Sequence, residues 1–266
     1  MTLTVTILGC GSSGGVPRIP DDWGACDRSN PRNRRRRCSI LVTRAGGDGA
    51  TNVLVDASPD MREQLIDART GWLDGVLITH DHADHIHGID DLRMVAMNGR
   101  RRVMVHANRP TMATLHTRFA YCFQTPPGSE YPPILDGAIL KPARPVTVDG
   151  PGGPVTALPF EQEHGSITSL GFRIGDFAYS SDVNGLSQDS IDLLQGLDLW
   201  IVDALRRTPH PSHFSLEETL GWIETLRPKR AILTNMHIDL DYETLRRELP
   251  EGVEPAYDGM TMTVAA

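Results

Sequence analysis

Residues 79–85 read Thr79-His80-Asp81-His82-Ala83-Asp84-His85 and follow directly on the apolar run Gly75-Val76-Leu77-Ile78. Three imidazoles and two carboxylates therefore lie within six residues, at the end of a predicted buried strand. Burying so many polar groups is costly unless they bind something. Imidazole and carboxylate are suitable ligands for zinc, iron or manganese. The spacing predicts a metal site, with His80 and His82 directed at one ion and Asp84 and His85 at a second.

Further donors stand just past the ends of other predicted strands. A histidine or aspartate at such a position can enter a cleft shared with the first motif. The candidates are His164 after Val155–Phe160, Asp182 after Phe177–Ser181, and His237 after Ala231–Thr234. His106 sits similarly at the end of a strand, and we interpret it as a bystander.

The stretch Gly9-Cys10-Gly11-Ser12-Ser13-Gly14-Gly15 has the glycine spacing of a dinucleotide-binding turn. Such a turn needs a helix that opens at the third glycine, so that helix N–H groups hold the pyrophosphate. Pro17 and Pro20 follow within six residues and exclude a regular helix there. The sequence therefore predicts a loop without a dinucleotide.

Composition and charge restrict the class of protein. The 266 residues are 39% hydrophobic and 23% charged, which is typical of a globular protein, and we expect one domain over 1–266. With a net charge of −8, the chain lacks the broad basic surface that is typical of a nucleic-acid-binding protein. Arg34–Arg37 forms a local basic run. These arginines and Arg93 are candidates to contact a phosphate, and an equally good interpretation is that they are solvated surface charges.

The sequence also predicts where the protein acts. Its start lacks a basic segment followed by a signal-type apolar stretch, and no apolar run approaches the roughly 18 residues of a membrane span. The four cysteines form no CxxC pair and are expected to be reduced thiols. We therefore expect a cytoplasmic protein without a membrane partner.

Short β-type runs alternate with a few helical segments. Ser58-Pro59 predicts the start of a helix with Met61, Leu65 and Ile66 on one face, and Ser215-Leu216-Glu217-Glu218 is a capping box. Gly175-Asp176 predicts a hairpin turn, whereas 125–133 and 142–154 read as Pro/Gly-rich loops. The predicted strands are Leu3–Leu8, Cys38–Thr43, Asn52–Asp56, Gly75–Thr79, Val103–His106, Val155–Phe160, Leu170–Ile174, Phe177–Ser181, Leu199–Asp203 and Ala231–Thr234.

The order HxHxDH, a distant histidine, an aspartate after a hairpin and a last histidine resembles the metallo-β-lactamase superfamily of dinuclear hydrolases. Residues 8–17 and 79–85 are similar to the branch that holds transfer-RNA 3′-processing endonucleases and the PhnP-type cyclic phosphodiesterase. The resemblance implies an α/β (α+β) fold, a four-layer αββα sandwich with the site at one edge. It also implies that Ser12–Gly15 lies beside the metal cleft. The implied ligands are His80, His82 and His164 on one ion, Asp84, His85 and His237 on the other, and Asp182 bridging both.

The resemblance further implies two divalent ions, zinc first and manganese as the alternative, and hydrolysis through a metal-bridging hydroxide. Asp84 and His213 are then the expected catalytic residues, with His213 the candidate acid for the leaving oxygen and His210 the weaker one. The expected substrate is a small, cyclic nucleotide or sugar phosphodiester and not a long nucleic acid. The additional cysteine zinc site of the phosphonate enzyme is not expected here, since Leu240 replaces its histidine.

Other functions stay open. They are a transfer-RNA 3′-processing endonuclease, although no long RNA-gripping arm is evident, a lactone or thioester hydrolase, and a non-enzymatic binding or carrier protein related to quinone cofactor biosynthesis. The sequence does not determine the oligomeric state, with a homodimer as one option.

Overall fold

Two seven-stranded sheets pack face to face in the computed structural model, which describes residues 2–265. The strands of the first sheet are β1 (Thr2–Gly9), β2 (Ser39–Gly46), β3 (Gly49–Val55), β4 (Gly75–Leu77), β5 (Val103–Ala107), β6 (Leu135–Ile139) and β14 (Thr261–Ala265). Those of the second are β7 (Val146–Val148), β8 (Val155–His164), β9 (Ile167–Ile174), β10 (Phe177–Ser180), β11 (Leu199–Asp203), β12 (Arg230–Thr234) and β13 (Val253–Pro255). The spatial orders are β14-β1-β2-β3-β4-β5-β6 and β13-β12-β11-β10-β9-β8-β7.

Helices cover the outer faces of both sheets. They are α1 (Met61–Asp67), α2 (Ala83–Ile86), α3 (Leu92–Gly99), α4 (Arg109–Arg118), α5 (Ala120–Phe123), α6 (Gln188–Leu193), α7 (Leu216–Leu226) and α8 (Tyr242–Glu248). Short 3-10 turns lie at Pro31–Asn33 and Ile89–Asp91. The four-layer αββα sandwich predicted from the sequence is confirmed. No helix within residues 2–265 is long and apolar enough to cross a membrane.

Alternation along the strands of the first sheet builds two cores. Val53 and Val55 of β3 face the second sheet and join the large core between the sheets, together with Phe172 and Trp200. Leu54 points the other way, into a separate core beneath α1, α3 and α4. Successive strand residues point to opposite faces, so an apolar run this continuous indicates a strand that is buried on both sides.

The direction of the strands brings polar loops to one edge. β3, β4, β5 and β6 are mutually parallel, as are β10, β11, β12 and β13. The carboxyl ends of parallel strands meet at the same edge of a sheet, where ligands bind in open α/β sheets. The loops after β4, β10, β11 and β12 are therefore expected to converge.

The prediction for α1 is wrong in two details. The helix begins at Met61 and not at Pro59, with Asp60 as its N-cap residue; the hydroxyl of Ser58 accepts the N–H of Asp60 and donates to the side chain of Gln64. Gln64 is buried and occupies the inner face, whereas Ile66 is 53% exposed. A polar residue took the inner position because its amide has a buried partner there.

Other local predictions are confirmed or incomplete. Ser215 caps α7 with a complete capping box, and Gly175-Asp176 joins β9 to β10 as a hairpin. All ten predicted strands are present, but β6, β7, β13 and β14 were not predicted, and β7 lies inside the segment expected to be a loop. These four strands have three to five residues each and are defined by their pairing with distant segments.

Candidate metal centre

The motif at residues 79–85 leaves the end of β4 and enters α2. β4 lies between β3 and β5, so its last residue opens onto the edge shared by both sheets. His80 and His85 are buried, whereas His82 is exposed and Asp84 is half-buried at the mouth of a cleft. Three histidines with similar spacing thus reach different depths of one site.

Asp56, the last residue of a predicted strand, organises the base of this motif. It is fully buried, with φ +66°, and it accepts hydrogen bonds from the backbone N–H and the hydroxyl of Thr79. His85 Nδ1 lies 2.7 Å from Asp56 Oδ2. Burial raises the pKa of Asp56, and the His85 imidazole opposes that shift. An acidic residue that ends an apolar run, as in Asn52–Asp56, is the only signal that the sequence offered.

The second sheet supplies the opposite wall of the cleft. His164 ends β8, Asp182 follows β10, and His237 follows β12. His213 lies in the loop between β11 and α7. All four side chains line the cleft, as the strand-end argument predicted for three of them.

Five of these histidines are anchored through Nδ1. The contacts are His80 to Thr79 Oγ1 (3.0 Å), His85 to Asp56 (2.7 Å), His164 to the Ser212 carbonyl (2.6 Å), His213 to Asp203 (2.8 Å) and His237 to Asp239 (2.9 Å). A carboxylate or carbonyl partner requires that Nδ1 donates, so the neutral ring carries its lone pair on Nε2. Metal-binding histidines are held in this way by a partner on the other nitrogen.

The free ring nitrogens converge on Asp182. His85 Nε2 lies 3.1 Å from Asp182 Oδ1, and His164 Nε2 lies 3.7 Å from Asp182 Oδ2. His80 Nε2 is 4.0 Å from Oδ2 of the same carboxylate. The other side of the cluster brings His164 Nε2 to within 3.2 Å of His82 Nδ1.

The donor atoms form three groups, and within each group the atoms lie within 4.8 Å of one another. They are His80–His82–His164, His80–His85–Asp182 and His164–Asp182–His213. Asp84 is near the second group, with Oδ2 3.4 Å from His85 Nε2, whereas His237 lines the cleft without joining a group. The structure therefore brings six of the seven predicted ligands close together, and it adds His213 to the atoms within reach.

Buried donor atoms without hydrogen-bond partners show that this cluster fits a divalent cation. His80 Nε2, His85 Nε2 and Asp182 Oδ1 are buried and have no hydrogen bond within the described part of the chain. Leaving such groups unpaired is costly. Imidazole nitrogen and carboxylate oxygen are the donors that zinc and manganese accept, so one kind of ligand satisfies all three atoms.

The electrostatics favour positive charge between His85 and Asp182. Burial lowers the pKa of His85, but the carboxylates of Asp182, Asp56 and Asp84 outweigh burial and raise it well above its usual value. His80 has the opposite shift, because burial and His85 both lower its pKa. Burial raises the pKa of Asp182, yet the surrounding imidazoles hold it well below its usual range. The same field that attracts a proton attracts a metal ion.

His213 and Asp203 form a buried pair at the side of the cluster. Burial raises the pKa of Asp203 to about 7, and Asp203 raises that of His213 to about 9 against the effect of burial. His213 Nε2 lies 3.8 Å from Asp182 Oδ2 and faces the cleft. His210 also lines the cleft, with its ring centroid 5.1 Å from that of His213.

The basic run at residues 34–37 does not line this cleft. Arg35 is buried, and its guanidinium donates to the carbonyls of Leu240 and His237. Arg36 pairs with Asp67 of α1 and with Asp258 before β14, and Arg37 pairs with Asp60. These three arginines hold the fold together. Arg93, the other phosphate candidate, lies on α3 outside the cleft and pairs with Asp90 of the preceding 3-10 turn.

The glycine-rich loop does line the cleft, through Ser12 and Ser13. The cleft has a volume of about 190 Å³ and is open to solvent.

The comparisons with known proteins agree with this geometry. The chain matches the family described as "Beta-lactamase superfamily domain" over residues 51–238. It is similar in structure to a crystallised new diphosphatase from the PhnP family, with a TM-score of 0.88 and 34% identity over 99% of this chain and 98% of that one. Zn²⁺-bound PqqB from Methylobacterium extorquens shares the fold, with a TM-score of 0.76 and 19% identity over 97% and 99% of the two chains.

One curated relative has a different kind of name. The octanoyltransferase of Porphyromonas gingivalis (strain ATCC BAA-308 / W83) is 32% identical over 259 residues, which cover 96% of this chain and 50% of that protein. The chain thus spans about half the length of this relative.

Proposed function

The chain belongs to the metallo-β-lactamase superfamily, and on that premise we propose that it is a dinuclear metal-dependent phosphodiesterase that cleaves small nucleotide or sugar phosphodiesters. The observation that carries this proposal is the set of anchored imidazoles around Asp182, with His213 facing the same cleft. The likeness to a diphosphatase supports phosphoryl transfer as the reaction. A cytoplasmic location and a small-molecule partner are part of the proposal.

We assign the ligands of two divalent ions, zinc or manganese, to the cluster. His80, His82 and His164 would hold one ion, Asp84 and His85 the other, and Asp182 would serve either; His237, which lines the cleft outside the three groups of donors, is the further candidate for the second ion. When bound, two such ions lower the pKa of water and neutralise phosphoryl oxygens during displacement. Nδ1 contacts to Thr79, Asp56, Ser212 and Asp239 fix four of these rings before any ion arrives. This preorganisation reduces the cost of binding.

His213 supplies the proton for the leaving oxygen. Its Nδ1 is held by Asp203, so Nε2 is the atom that presents a proton to the cleft. The carboxylates of Asp203 and Asp182 stabilise the imidazolium form and keep the acid charged at neutral pH. To Asp84, half-buried at the mouth, we assign the hydrogen bond from the attacking water.

A second candidate function is hydrolysis of thioesters or lactones. The name of the octanoyltransferase relative favours it, because acyl transfer also proceeds by attack on a polarised carbonyl. The same cluster serves either reaction, so the substrate must be determined by assay.

The test is a substrate panel on protein loaded with zinc or manganese. The panel contains bis(p-nitrophenyl) phosphate, cyclic nucleotides, cyclic ribose phosphates, precursor transfer RNA, a lactone and an octanoyl thioester. We expect turnover of the small phosphodiesters and loss of turnover after chelation. Turnover restricted to the thioester or lactone would overturn the phosphodiesterase assignment, and efficient cleavage of precursor transfer RNA would replace the small substrate with RNA.

His213→Ala tests the mechanism within this panel. It should keep its metal content and lose roughly 10²–10⁴-fold in kcat, because a general acid contributes about that factor. The matched control is His116→Ala, which removes a histidine on α4 that is outside the cleft. Full activity of His213→Ala on a substrate with a poor leaving group would refute the role.

A further inference from the structure

Two arginines line the cleft beside the metal cluster. Arg18 lies in the loop that follows the glycine-rich turn, and Arg206 lies in the loop that follows β11. They come from opposite ends of the sequence and face one cavity. Neither is among the residues assigned above to the metals or to proton transfer.

Arg18 has a charge without a partner. Within residues 2–265, its guanidinium makes no ion pair and no side-chain hydrogen bond. The side chain lies along the backbone of Gly14, where an added Cβ would stand 3.2 Å from Nε. The absence of a side chain at Gly14 therefore leaves room for Arg18 beside the cleft.

Arg206 is held in place by neutral groups. Its Nε and Nη2 donate to the carbonyls of Thr208 and Pro209, at 3.1 and 2.7 Å. In the described chain no carboxylate pairs with it, so no adjacent negative charge offsets the charge of the guanidinium. Its remaining N–H groups are free to bind an anion. The neighbouring Arg207 differs, because it points away and pairs with Glu248.

Ser12 provides an independent sign of a ligand. It is 3% exposed and lines the cleft, and its hydroxyl has no hydrogen-bond partner among residues 2–265. A buried hydroxyl without a partner is unfavourable unless a ligand satisfies it. An unpaired hydroxyl and two cations without carboxylates make a site for an anion.

We infer that Ser12, Arg18 and Arg206 form an anion subsite beside the metal centre, which holds a second, non-reacting phosphate group of the substrate. The inference rests on the proposed function, in which the metals hold the phosphate that reacts. Guanidinium groups match phosphate oxygens with paired hydrogen bonds. A local positive field in a chain of net charge −8 also concentrates an anion at this point.

Arg18 and Arg206 line the same cleft as His237 and Asp182, so both arginines lie beside the proposed metal centre. A phosphate at this place would lie directly beside the reacting group, so substrates with one phosphate lose a major contact.

Direct binding to the zinc-loaded protein tests the subsite without relying on turnover. The probes are AMP, ADP and adenosine 3′,5′-bisphosphate, measured by calorimetry. We expect at least one of the two-phosphate probes to bind roughly 10- to 100-fold more tightly than AMP, because one or two additional charge-assisted hydrogen bonds increase affinity by about that factor. Preference for ADP means that the second phosphate adjoins the first, and preference for the bisphosphate means that it is on the sugar.

Four variants separate the subsite from general charge effects. Arg18→Gln and Arg206→Gln should bring the affinity ratio close to one without loss of metal. The matched controls are Arg28→Gln, in the same loop but paired with Asp21, and Arg207→Gln, next in sequence but outside the cleft. Both controls should keep the ratio.

The outcomes distinguish this inference from the proposed function. Equal affinities for all three probes, or an unchanged ratio in the Arg18 and Arg206 variants, would overturn the subsite. A protein that cleaves bis(p-nitrophenyl) phosphate but shows no ratio refutes the subsite alone. A protein that retains the ratio and hydrolyses no phosphodiester supports the subsite and refutes the proposed activity.

Discussion

Replacing Asp203 with asparagine would remove the carboxylate that keeps His213 charged. The side chain of Asp203 is buried, and its Oδ2 contacts His213 Nδ1 at 2.8 Å and accepts the N–H of Val183 at 3.1 Å. Asparagine keeps the shape and an acceptor for that N–H, so the change is chiefly one of charge. The expected effect is on the acid and not on the fold.

The size and direction of the effect follow from the pKa of His213. Burial alone lowers this pKa from 6.5, and the Asp203 carboxylate is the main cause that raises it to about 9. Without Asp203, the pKa should fall to near or below 6.5. The protonated form is the active acid, so activity is present below the pKa and lost as pH rises through it. The alkaline limb of kcat should move from high pH to below neutrality in Asp203→Asn.

Metal binding changes the pKa of His213 in the wild-type protein, but the Asp203→Asn substitution still lowers it. Asp182 also raises the pKa of His213, and a bound cation would neutralise part of that effect. The alkaline limb of the loaded wild-type protein should therefore lie somewhat below pH 9. At pH 8 the variant should lose roughly 10- to 100-fold in kcat, within the usual range for general acid catalysis.

The assay is a pH profile of kcat for two phosphodiesters that differ only in the leaving group. The loss should be large for an alkoxide and small for p-nitrophenolate, which needs little protonation. In a His213→Asn background, Asp203→Asn should have no further effect, because it acts through the histidine. An unchanged alkaline limb, with metals retained, would refute the role of the pair.

His82→Ala and Asp182→Ala should each lose bound metal by elemental analysis, and full retention of two ions in either variant contradicts the ligand assignment. Asp241→Ala should lower the free energy of unfolding in urea by about 1–2 kcal/mol, because Asp241 caps α8. The pKa of Asp241 is lowered to about 2, so the difference between variant and wild type is present above pH 4 and shrinks as pH falls toward 2. An equal difference at both extremes of pH would refute the charge effect. Gly88→Ala should destabilise the protein by about 1–3 kcal/mol in thermal unfolding, since its Cβ would stand 1.9 Å from the Ser58 carbonyl oxygen, and an unchanged melting temperature contradicts this packing.

The fold and the metal motif could be predicted because their signals are local. The HxHxDH stretch combines an apolar strand with a density of donors that few other contexts explain, and its order with the later histidines carries the family resemblance. The same strand-end argument predicted that His164, Asp182 and His237 would share a cleft with this motif, and all three line it. The capping box before α7 is equally local, since Ser215 and Glu218 bond each other.

The supporting residues could not be predicted, because their roles depend on distant partners. Asp56 and Asp203 each end a predicted strand, and nothing nearby in sequence shows that each would hold an imidazole. Arg35 lies in a basic run that reads as solvated, yet its partners are carbonyls about 200 residues later. Arg18 was passed over for the opposite reason, since only the folded chain shows that it lacks a partner.

The donor cluster draws on both sheets, with His80, His82 and His85 from the first and His164 and Asp182 from the second. The two halves also meet through side-chain packing and through backbone hydrogen bonds such as that from the Leu170 N–H to the Thr79 carbonyl. An ion bound at the cluster is a further cross-link, and its binding free energy adds to that of their association. Chelation should therefore loosen the seam between the sheets before it affects either sheet alone. Cleavage by proteases would then begin at this edge, and the supply of metal would determine how long the chain survives.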